Sequence, residues 1–544
     1  MPSRRGRWLF LIVLLGGVGA FTGLWYAATG GSGGSDPAFG GLYVEGVAGA
    51  PSRINPLFAA QNEVDEALAS LIFAGLTRLD EQGTPLPDLA EDWTVSADGR
   101  TYTFRLREGL VWQDGAPLTA DDVIFTYGLL QSPGLRSPPA LSRLLAEATM
   151  ARKDSLTVTI QLPQPFAPLP AHLTLGILPL HLLGDIPPAA LFDAPFNLQP
   201  VGAGPYRLEE LTGERARLEA NPAYHLRQPF VQRLELRFYR DESALIAALK
   251  SRDVQGAFFR APLSAGDLVY LERRGDLRQS TLPTGAVTFV YLNLRLPIFE
   301  DRRVRQALLY ALDRGAIIEE ALGGQALPAD SPIAPGSWAY APSLGRYETD
   351  PEIAGLLLDE AGWRLDGRGV RTKEGVELAF TLACTSDPQQ VALARAIAKR
   401  WSEVGARVVV APSGTTTLVR DLLEPRRYEA ALFVRAGDAD EEDPYPAWHS
   451  TQTGSKGGNL SLLNDQRFDR ILEEARLLAS QARRRDLYGE FQELFAQEVP
   501  AIPLFASTSL YVQKASLQGV RVGLLEGAGA RFWQVHEWYL KTTR

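Results

Sequence analysis

Two kinds of hydrophobic periodicity follow each other along this chain, and they restrict its fold more than any other feature. Segments 100–107, 155–162 and 231–239 alternate apolar and polar residues with a period of two, which predicts β-strands. Helical patterns dominate the second half, where Asp350 and Asp387 each precede a proline and an apolar pattern of helical period. We therefore predict a mixed α/β protein with at least two lobes.

The helical patterns also carry start and stop signals, which give approximate boundaries. Segments 350–362 and 387–405 each begin with an aspartate N-cap and end with a glycine. Segment 301–322 is predicted as a helix with its first residue as the N-cap and one apolar face. Two further helices are predicted at about 465–480 and 482–498.

Length, charge and cysteine content limit the classes of protein to consider. A chain of 544 residues predicts two to four domains. The net charge of −9, without a basic stripe, argues against a nucleic-acid partner. The lone Cys384 cannot form an internal disulfide, and we predict that it is a small buried apolar residue.

The N-terminal segment predicts a membrane anchor. Arg4, Arg5 and Arg7 precede an apolar stretch from Trp8 to Ala28, which spans about 31 Å as a helix, enough for a bilayer core. A secretory signal usually has a shorter apolar stretch, so a retained signal-anchor is favoured over a cleaved signal. The arginines stay inside and place the remaining chain on the extracytoplasmic side of the cell membrane. Residues 1–35 are thus interpreted as an anchor helix and a Gly/Ser tether.

The common catalytic motifs are absent from the sequence. It contains no P-loop, no H-E-x-x-H and no S-x-x-K, and its histidines do not follow a metal-ligand spacing. This pattern favours a binding protein without cofactor or metal over an enzyme. An extracellular hydrolase is the alternative, and it would need a nucleophile and a base that the motifs do not supply.

A series of motifs carries a resemblance to a known family. They are "INPLF" (54–58), the segment 71–127 with "WQDG" at Trp112–Gly115, "VGAGPYRLEE" (201–210), "EANPAYH" (219–225), "FEDRRVRQALLYALDR" (299–314), "LLDEAGW" (357–363) and "EVPAIPLF" (498–505). In this order they resemble the family 5 bacterial extracytoplasmic solute-binding proteins, the dipeptide and oligopeptide receptors of ABC importers. The resemblance extends from about residue 37 to the C-terminus.

The resemblance implies a fold and a division into domains. The fold would be a periplasmic-binding-protein-like clamp of two jaws with an extra domain, built from mixed sheets flanked by helices. Domain I would combine residues 37–56, 200–285 and 505–544, domain II would be residues 57–199, and domain III would be residues 286–504. The two segments that cross between jaws, near 285 and 505, would form the hinge.

The family's function is implied in the same way. A monomeric receptor would close on a peptide and deliver it to the permease subunits of an ABC transporter. Dipeptide receptors of the family bind the ligand's carboxylate with an arginine, but the matching segment 384–390 contains none. An oligopeptide is therefore favoured over a strict dipeptide. A non-peptide solute (nickel chelate, haem, opine or sugar) and a membrane-tethered sensor or scaffold are the alternatives.

The segment "RAGDADEEDPYPAWHS" (435–450) is the candidate ligand site. By resemblance, the carboxylate that binds the ligand's ammonium lies three residues before an Asp-Pro step, here Asp443-Pro444. This rule selects Asp440, with Asp438 as the second candidate. Trp448 is a candidate wall of the ligand pocket, with ordinary packing as its alternative. For the two aspartates the alternative is a solvated turn or a helix cap.

Overall fold

The structure is a computed structural model, and it describes residues 37–135, 139–342, 347–435, 443–524 and 527–541. The predicted anchor helix and tether, residues 1–35, lie outside the described residues. Within the described ranges, no helix is both long and apolar enough to cross a bilayer.

The strands are distributed over the whole described chain. In chain order they are β1 (Leu42–Ala48), β2 (Thr77–Leu79), β3 (Pro85–Pro87), β4 (Ala90–Val95), β5 (Thr101–Leu106), β6 (Thr149–Asp154), β7 (Thr157–Gln161), β8 (Tyr206–Leu211), β9 (Arg215–Ala220), β10 (Arg233–Tyr239), β11 (Gly256–Phe259), β12 (Leu277–Leu292), β13 (Ala326–Pro328), β14 (Arg364–Leu365), β15 (Arg371–Lys373), β16 (Val376–Glu377), β17 (Ala379–Thr385), β18 (Arg407–Ser413), β19 (Ala430–Arg435), β20 (Ala501–Lys514), β21 (Leu517–Gln518) and β22 (Tyr539–Leu540).

Helices connect and cover these strands. In chain order the α-helices are α1 (Glu63–Ile72), α2 (Ala120–Leu129), α3 (Pro139–Leu145), α4 (Leu169–His172), α5 (Leu180–Leu183), α6 (Glu242–Ser251), α7 (Ala265–Glu272), α8 (Pro297–Glu300), α9 (Arg302–Tyr310), α10 (Arg314–Leu322), α11 (Pro351–Glu360), α12 (Pro388–Glu403), α13 (Thr415–Thr417), α14 (Tyr445–Trp448), α15 (Gln466–Leu477) and α16 (Gln481–Glu498). Short 3-10 turns occur at Ala59–Gln61, Pro188–Asp193, Pro195–Leu198, Ser450–Thr453, Ala528–Phe532 and Val535–Glu537, and a π-helical turn occurs at Leu418–Leu423.

One mixed sheet runs through the molecule. Among the described residues it has eleven strands, in the order β18–β17–β19–β12–β20–β11–β1–β10–β9–β8, with β13 paired to β20. Pairs such as β1 with β10 are parallel, whereas β12 and β20 pair antiparallel. A separate four-stranded sheet has the order β4–β5–β7–β6. The fold is therefore α/β with mixed sheets, as the sequence predicts.

The long strands β12 and β20 connect two lobes. We define the first lobe as residues 37–283 and 508–541, and the second lobe as residues 287–506. In the second lobe, Phe289 and Tyr291 of β12 point into one apolar core, while Val290 and Leu292 point into another. Because successive strand residues face opposite sides, both faces of this half of the sheet are covered.

Cys384 lies in the second-lobe core that contains Val290 and Leu292. It is fully buried and forms no disulfide. Burial raises the pKa of its thiol, which keeps it protonated at neutral pH. The prediction of a buried small apolar residue is confirmed.

The predicted strands form close to their expected positions. Segments 100–107 and 155–162 contain β5 and β7, which pair antiparallel, and segment 231–239 contains β10. In β5 the residues alternate between buried and partly or fully exposed positions, which matches the period of two in the sequence. The alternating pattern therefore located these strands correctly.

The capping signals also locate helices. The Asp350 side chain accepts hydrogen bonds from the first amides of α11, and the Asp387 side chain does the same for α12. Segment 301–322, by contrast, is two helices, α9 and α10, rather than one. The break has a local cause, because the Asp313 side chain accepts a hydrogen bond from the Ala316 amide and caps a new helix.

Candidate functional site

The two lobes are joined at a bulge in the paired strands β12 and β20. The register between them shifts from Pro283 opposite Thr508 to Val287 opposite Ala506. Gly285 has a φ of +71° within this shift, a conformation that favours glycine. We call residues 283–287 with 506–508 the crossover. Because a bulge locally bends and twists a strand pair, we expect the strands to change direction at the crossover, between the two lobes.

We call residues 435–443 the acidic segment, and its first residue lies at the crossover. Strand β19 pairs antiparallel with β12, and its last residue, Arg435, lies opposite Val287. Arg435 therefore lies where the first lobe meets the second. Asp438 and Asp440 themselves lie outside the described residues, so their roles stay predictions.

Asp443 closes the acidic segment and is bound inside the protein. Its side chain is 4% exposed. One carboxylate oxygen accepts a hydrogen bond from Arg476 Nε at 2.8 Å, and the other accepts one from the Tyr445 amide at 3.2 Å. Asp443 is thus paired within the second lobe and is a poor candidate for binding a ligand ammonium.

Arg476 also contacts the first lobe. Its carbonyl oxygen accepts a hydrogen bond from the Ala167 amide at 2.9 Å. Its guanidinium lies 3.8 Å from the centre of the Tyr445 ring and 5.7 Å from that of Phe166. One residue therefore connects the end of the acidic segment with the opposite lobe.

We expect Arg476→Ala to lower the free energy of unfolding by about 1–3 kcal/mol, because the buried Asp443 carboxylate loses its charged hydrogen-bond donor. We also expect weaker ligand binding, because the end of the acidic segment loses its attachment. Urea unfolding and calorimetry measure the two effects. The matched control is Arg470→Ala, which changes an exposed residue on the same helix α15 and is expected to stay within about 0.5 kcal/mol of wild type. If Arg476→Ala and Arg470→Ala changed stability and ligand binding equally, Arg476 would not have the proposed role of holding Asp443.

A second contact between the lobes involves the turn between β2 and β3. The Trp338 amide donates a hydrogen bond to the Gln82 carbonyl oxygen at 2.9 Å. Gln481 Nε2 reaches Thr84 Oγ1 at 3.4 Å. Sequence reasoning identified neither this turn nor Phe166 and Arg476, because the partners are far apart in the chain and show no local pattern.

Trp448 lies in a second-lobe core. It is fully buried, and its ring stacks on Tyr291 and meets Phe289 and Phe495 edge-on. Among the described residues, its indole Nε1 has no hydrogen-bond partner. The packing explains why an aromatic residue stands here, and a role in ligand binding stays a prediction.

Both ring nitrogens of the neighbouring His449 lie within hydrogen-bond distance of a side chain in the second lobe. Nδ1 lies 2.9 Å from Thr451 Oγ1, and Nε2 lies 3.1 Å from Glu473 Oε1. The residue is also buried. These contacts fix the imidazole within the second lobe rather than direct it toward a ligand.

Comparisons with known proteins connect this arrangement to a family. Residues 84–458 match the family model described as "Bacterial extracellular solute-binding proteins, family 5 Middle". The oligopeptide-binding protein AppA of Bacillus subtilis is 27% identical over 496 residues, which cover 89% of this chain and 90% of that protein. Protein XP55 of Streptomyces lividans is 32% identical over 461 residues, covering 83% of this chain and 80% of that protein.

The fold is similar to solved structures as well. The structure of Bacillus subtilis AppA in complex with a nonapeptide superimposes with a TM-score of 0.67 at 25% identity, covering 93% of this chain and all of that one. These matches agree with the resemblance that the ordered motifs indicate.

Proposed function

The chain belongs to the family 5 bacterial extracellular solute-binding proteins, and from this membership we propose that it captures peptides outside the cytoplasm and delivers them to the permease of an ABC importer. The observation that carries the proposal is the pair of lobes joined by β12 and β20, with the acidic segment beginning at their crossover. A protein of this kind binds and releases its ligand without chemical turnover.

The proposed mechanism is closure of the two lobes on the ligand. A ligand that contacts both lobes binds the closed arrangement more tightly than the open one. This difference in binding free energy shifts the population toward the closed arrangement. An extended peptide pairs its main chain with the protein, and a carboxylate of the acidic segment binds its ammonium. We assign this carboxylate to Asp440 first and to Asp438 second.

We propose the division into domains that the family resemblance implies. Domain I combines residues 37–56, 200–285 and 505–544, domain II is residues 57–199, and domain III is residues 286–504. The position of the register shift, between Pro283 and Val287, supports a hinge near residues 285 and 505.

We propose oligopeptides rather than strict dipeptides as ligands. Segment 384–390, where a carboxylate-binding arginine is expected for dipeptides, contains none. Its Asp387 side chain is used to cap α12. The similarity to a protein that was solved with a nonapeptide points in the same direction.

The function is tested by identifying the natural ligand. The protein is purified from its native host without refolding and then denatured, and the released small molecules are analysed by mass spectrometry. We expect peptides of several residues. Release of a metal chelate, haem, an opine or a sugar instead would replace the peptide assignment by another solute within the same family.

We also propose that the protein stays attached to the membrane through residues 1–35. The apolar stretch Trp8–Ala28 and the tether Gly30–Ser35 support this proposal. We expect the mature protein from membranes to retain its N-terminal segment, as measured by intact mass and N-terminal sequencing. A mature chain that begins between Ala28 and Ser35 would indicate a cleaved signal peptide.

A further inference from the structure

A cavity of about 550 Å³ lies in the first lobe. Its walls come from α1, from the turn between β2 and β3, from residues 172–176 and from residues within 523–524 and 527–536. No described residue between 225 and 522 lines it, so the cavity as described belongs to the first lobe. Its volume is typical of small-molecule sites.

Gly527 and Gly529, near the C-terminus, form part of one wall of this cavity. A Cβ atom at Gly527 would lie 1.7 Å from Glu66 Oε1, and one at Gly529 would lie 2.9 Å from Ser70 Oγ. At Gly529 a Cβ atom would also lie 3.0 Å from the Glu66 carbonyl oxygen, so the backbone there approaches α1 closely. Burial raises the pKa of the Glu66 carboxyl, and the backbone amides of Ala528 and Gly529 act in the opposite direction. The Glu66 side chain lies at the cavity wall.

Acidic side chains outnumber basic ones around the cavity. Four described acids line it, namely Glu66, Asp80, Glu81 and Asp88, against one arginine, Arg78. His172 and His536 also line it, but burial lowers the pKa of each to about 4, so both are neutral at pH 7. The electrostatic environment therefore favours a cation.

Among these acids, Glu66 is the best placed to bind a ligand. Asp88 is already paired with His225 at 2.7 Å, and Asp80 accepts hydrogen bonds from amides of its own turn. Glu66 has no ion pair with any described basic residue. The two arginines near it are engaged elsewhere, because Arg531 binds Glu45 and Arg260 binds Glu63.

We propose that this cavity is a second binding site, for an organic cation with an apolar body whose positive group pairs with Glu66. Apolar side chains such as Phe73, Leu175 and Trp533 line the remaining wall and would contact the body of the ligand. Burial raises the pKa of Glu66, which indicates a carboxylate that a bound cation would stabilise. The cation is either a basic side chain of a bound peptide or a free amine.

The test uses calorimetry on the full chain with 2-phenylethylamine and its neutral analogue 2-phenylethanol. We expect the amine to bind more tightly than the alcohol. Glu66→Gln keeps a side-chain oxygen for the amides but removes the charge, and we expect it to weaken amine binding roughly 10-fold or more. The matched control is Glu272→Gln, an exposed acid of the first lobe outside the cavity wall, which is expected to bind the amine like wild type.

Three outcomes would overturn the proposal. The first is equal binding of amine and alcohol, and the second is an unchanged amine affinity in Glu66→Gln. The third is loss of amine binding in Asp440→Ala instead of Glu66→Gln, because the amine would then bind at the acidic segment.

A peptide pair separates the two sources of the cation. Ala-Ala-Lys-Ala is compared with the same peptide carrying norleucine in place of lysine, in wild type and in Glu66→Gln. A preference for lysine that disappears in Glu66→Gln identifies a peptide side chain as the ligand group. A Glu66-dependent preference for the free amine, without a preference for lysine, identifies a small amine. Each result supports the second site.

Discussion

Arg531→Met is expected to lower the free energy of unfolding by about 3–5 kcal/mol, because it leaves the Glu45 carboxylate buried without its counter-ion. Both side chains are fully buried, and Arg531 Nε donates a hydrogen bond to Glu45 Oε1 at 2.8 Å. The Tyr511 hydroxyl donates to the other oxygen of Glu45 at 2.7 Å. Burial raises the pKa of Tyr511, so its hydroxyl remains protonated.

Urea unfolding measures this effect, and a double variant identifies its cause. Adding Glu45→Gln to Arg531→Met removes the stranded charge, and we expect it to recover a large part of the lost stability. Removal of the exposed pair between Arg207 and Glu219 serves as a control, with an expected change of about 0–1 kcal/mol. If the double variant were no more stable than Arg531→Met, the buried charge would not be the cause.

Asp440→Ala is expected to weaken peptide binding roughly 30-fold or more. A buried carboxylate paired with an ammonium forms a charge-assisted hydrogen bond, and loss of one member costs about 2–5 kcal/mol. If Asp440 were instead an exposed helix cap, Asp440→Ala would lower the free energy of unfolding by about 1 kcal/mol and leave the affinity for the peptide nearly unchanged. Calorimetry with the released peptide therefore separates the two roles.

The same titration is repeated with Asp438→Ala and Glu442→Ala. The largest loss identifies the residue that binds the ammonium, and Glu442→Ala is expected to bind like wild type. N-acetylation of the peptide provides an independent check, because it removes the ammonium and leaves the remaining ligand intact. Equal affinity of free and acetylated peptide would rule out an ammonium site in the acidic segment.

Features that depend on neighbouring residues could be predicted from the sequence. Asp350 and Asp387 cap helices at the expected positions, because a cap joins a side chain to amides two or three residues away. The prediction of a single helix over segment 301–322 is wrong at Asp313, and there too a contact between near neighbours in the chain determines where a helix begins. The apolar pattern continues through segment 301–322, but the cap at Asp313 begins a second helix within it.

The contacts that organise the site depend on residues that are far apart. Arg476 binds Asp443 across 33 positions, and Arg531 binds Glu45 across 486 positions. No periodicity or spacing links such partners, because the chain brings them together only through the strand order of the sheet. The acidic segment itself was found through resemblance, since an Asp-rich stretch alone is typical of a solvated turn.

The path of β12 and β20 also has a consequence for biosynthesis. The second lobe is inserted between these strands, so the ribosome completes all of it before β20 can pair with β11. The first-lobe half of the sheet therefore lacks a central strand until residue 514 has been made. Pairing between distant segments is slow, because loop closure precedes the stabilising contacts. We expect the first-lobe part of this sheet to remain incompletely folded until β20 has been translated.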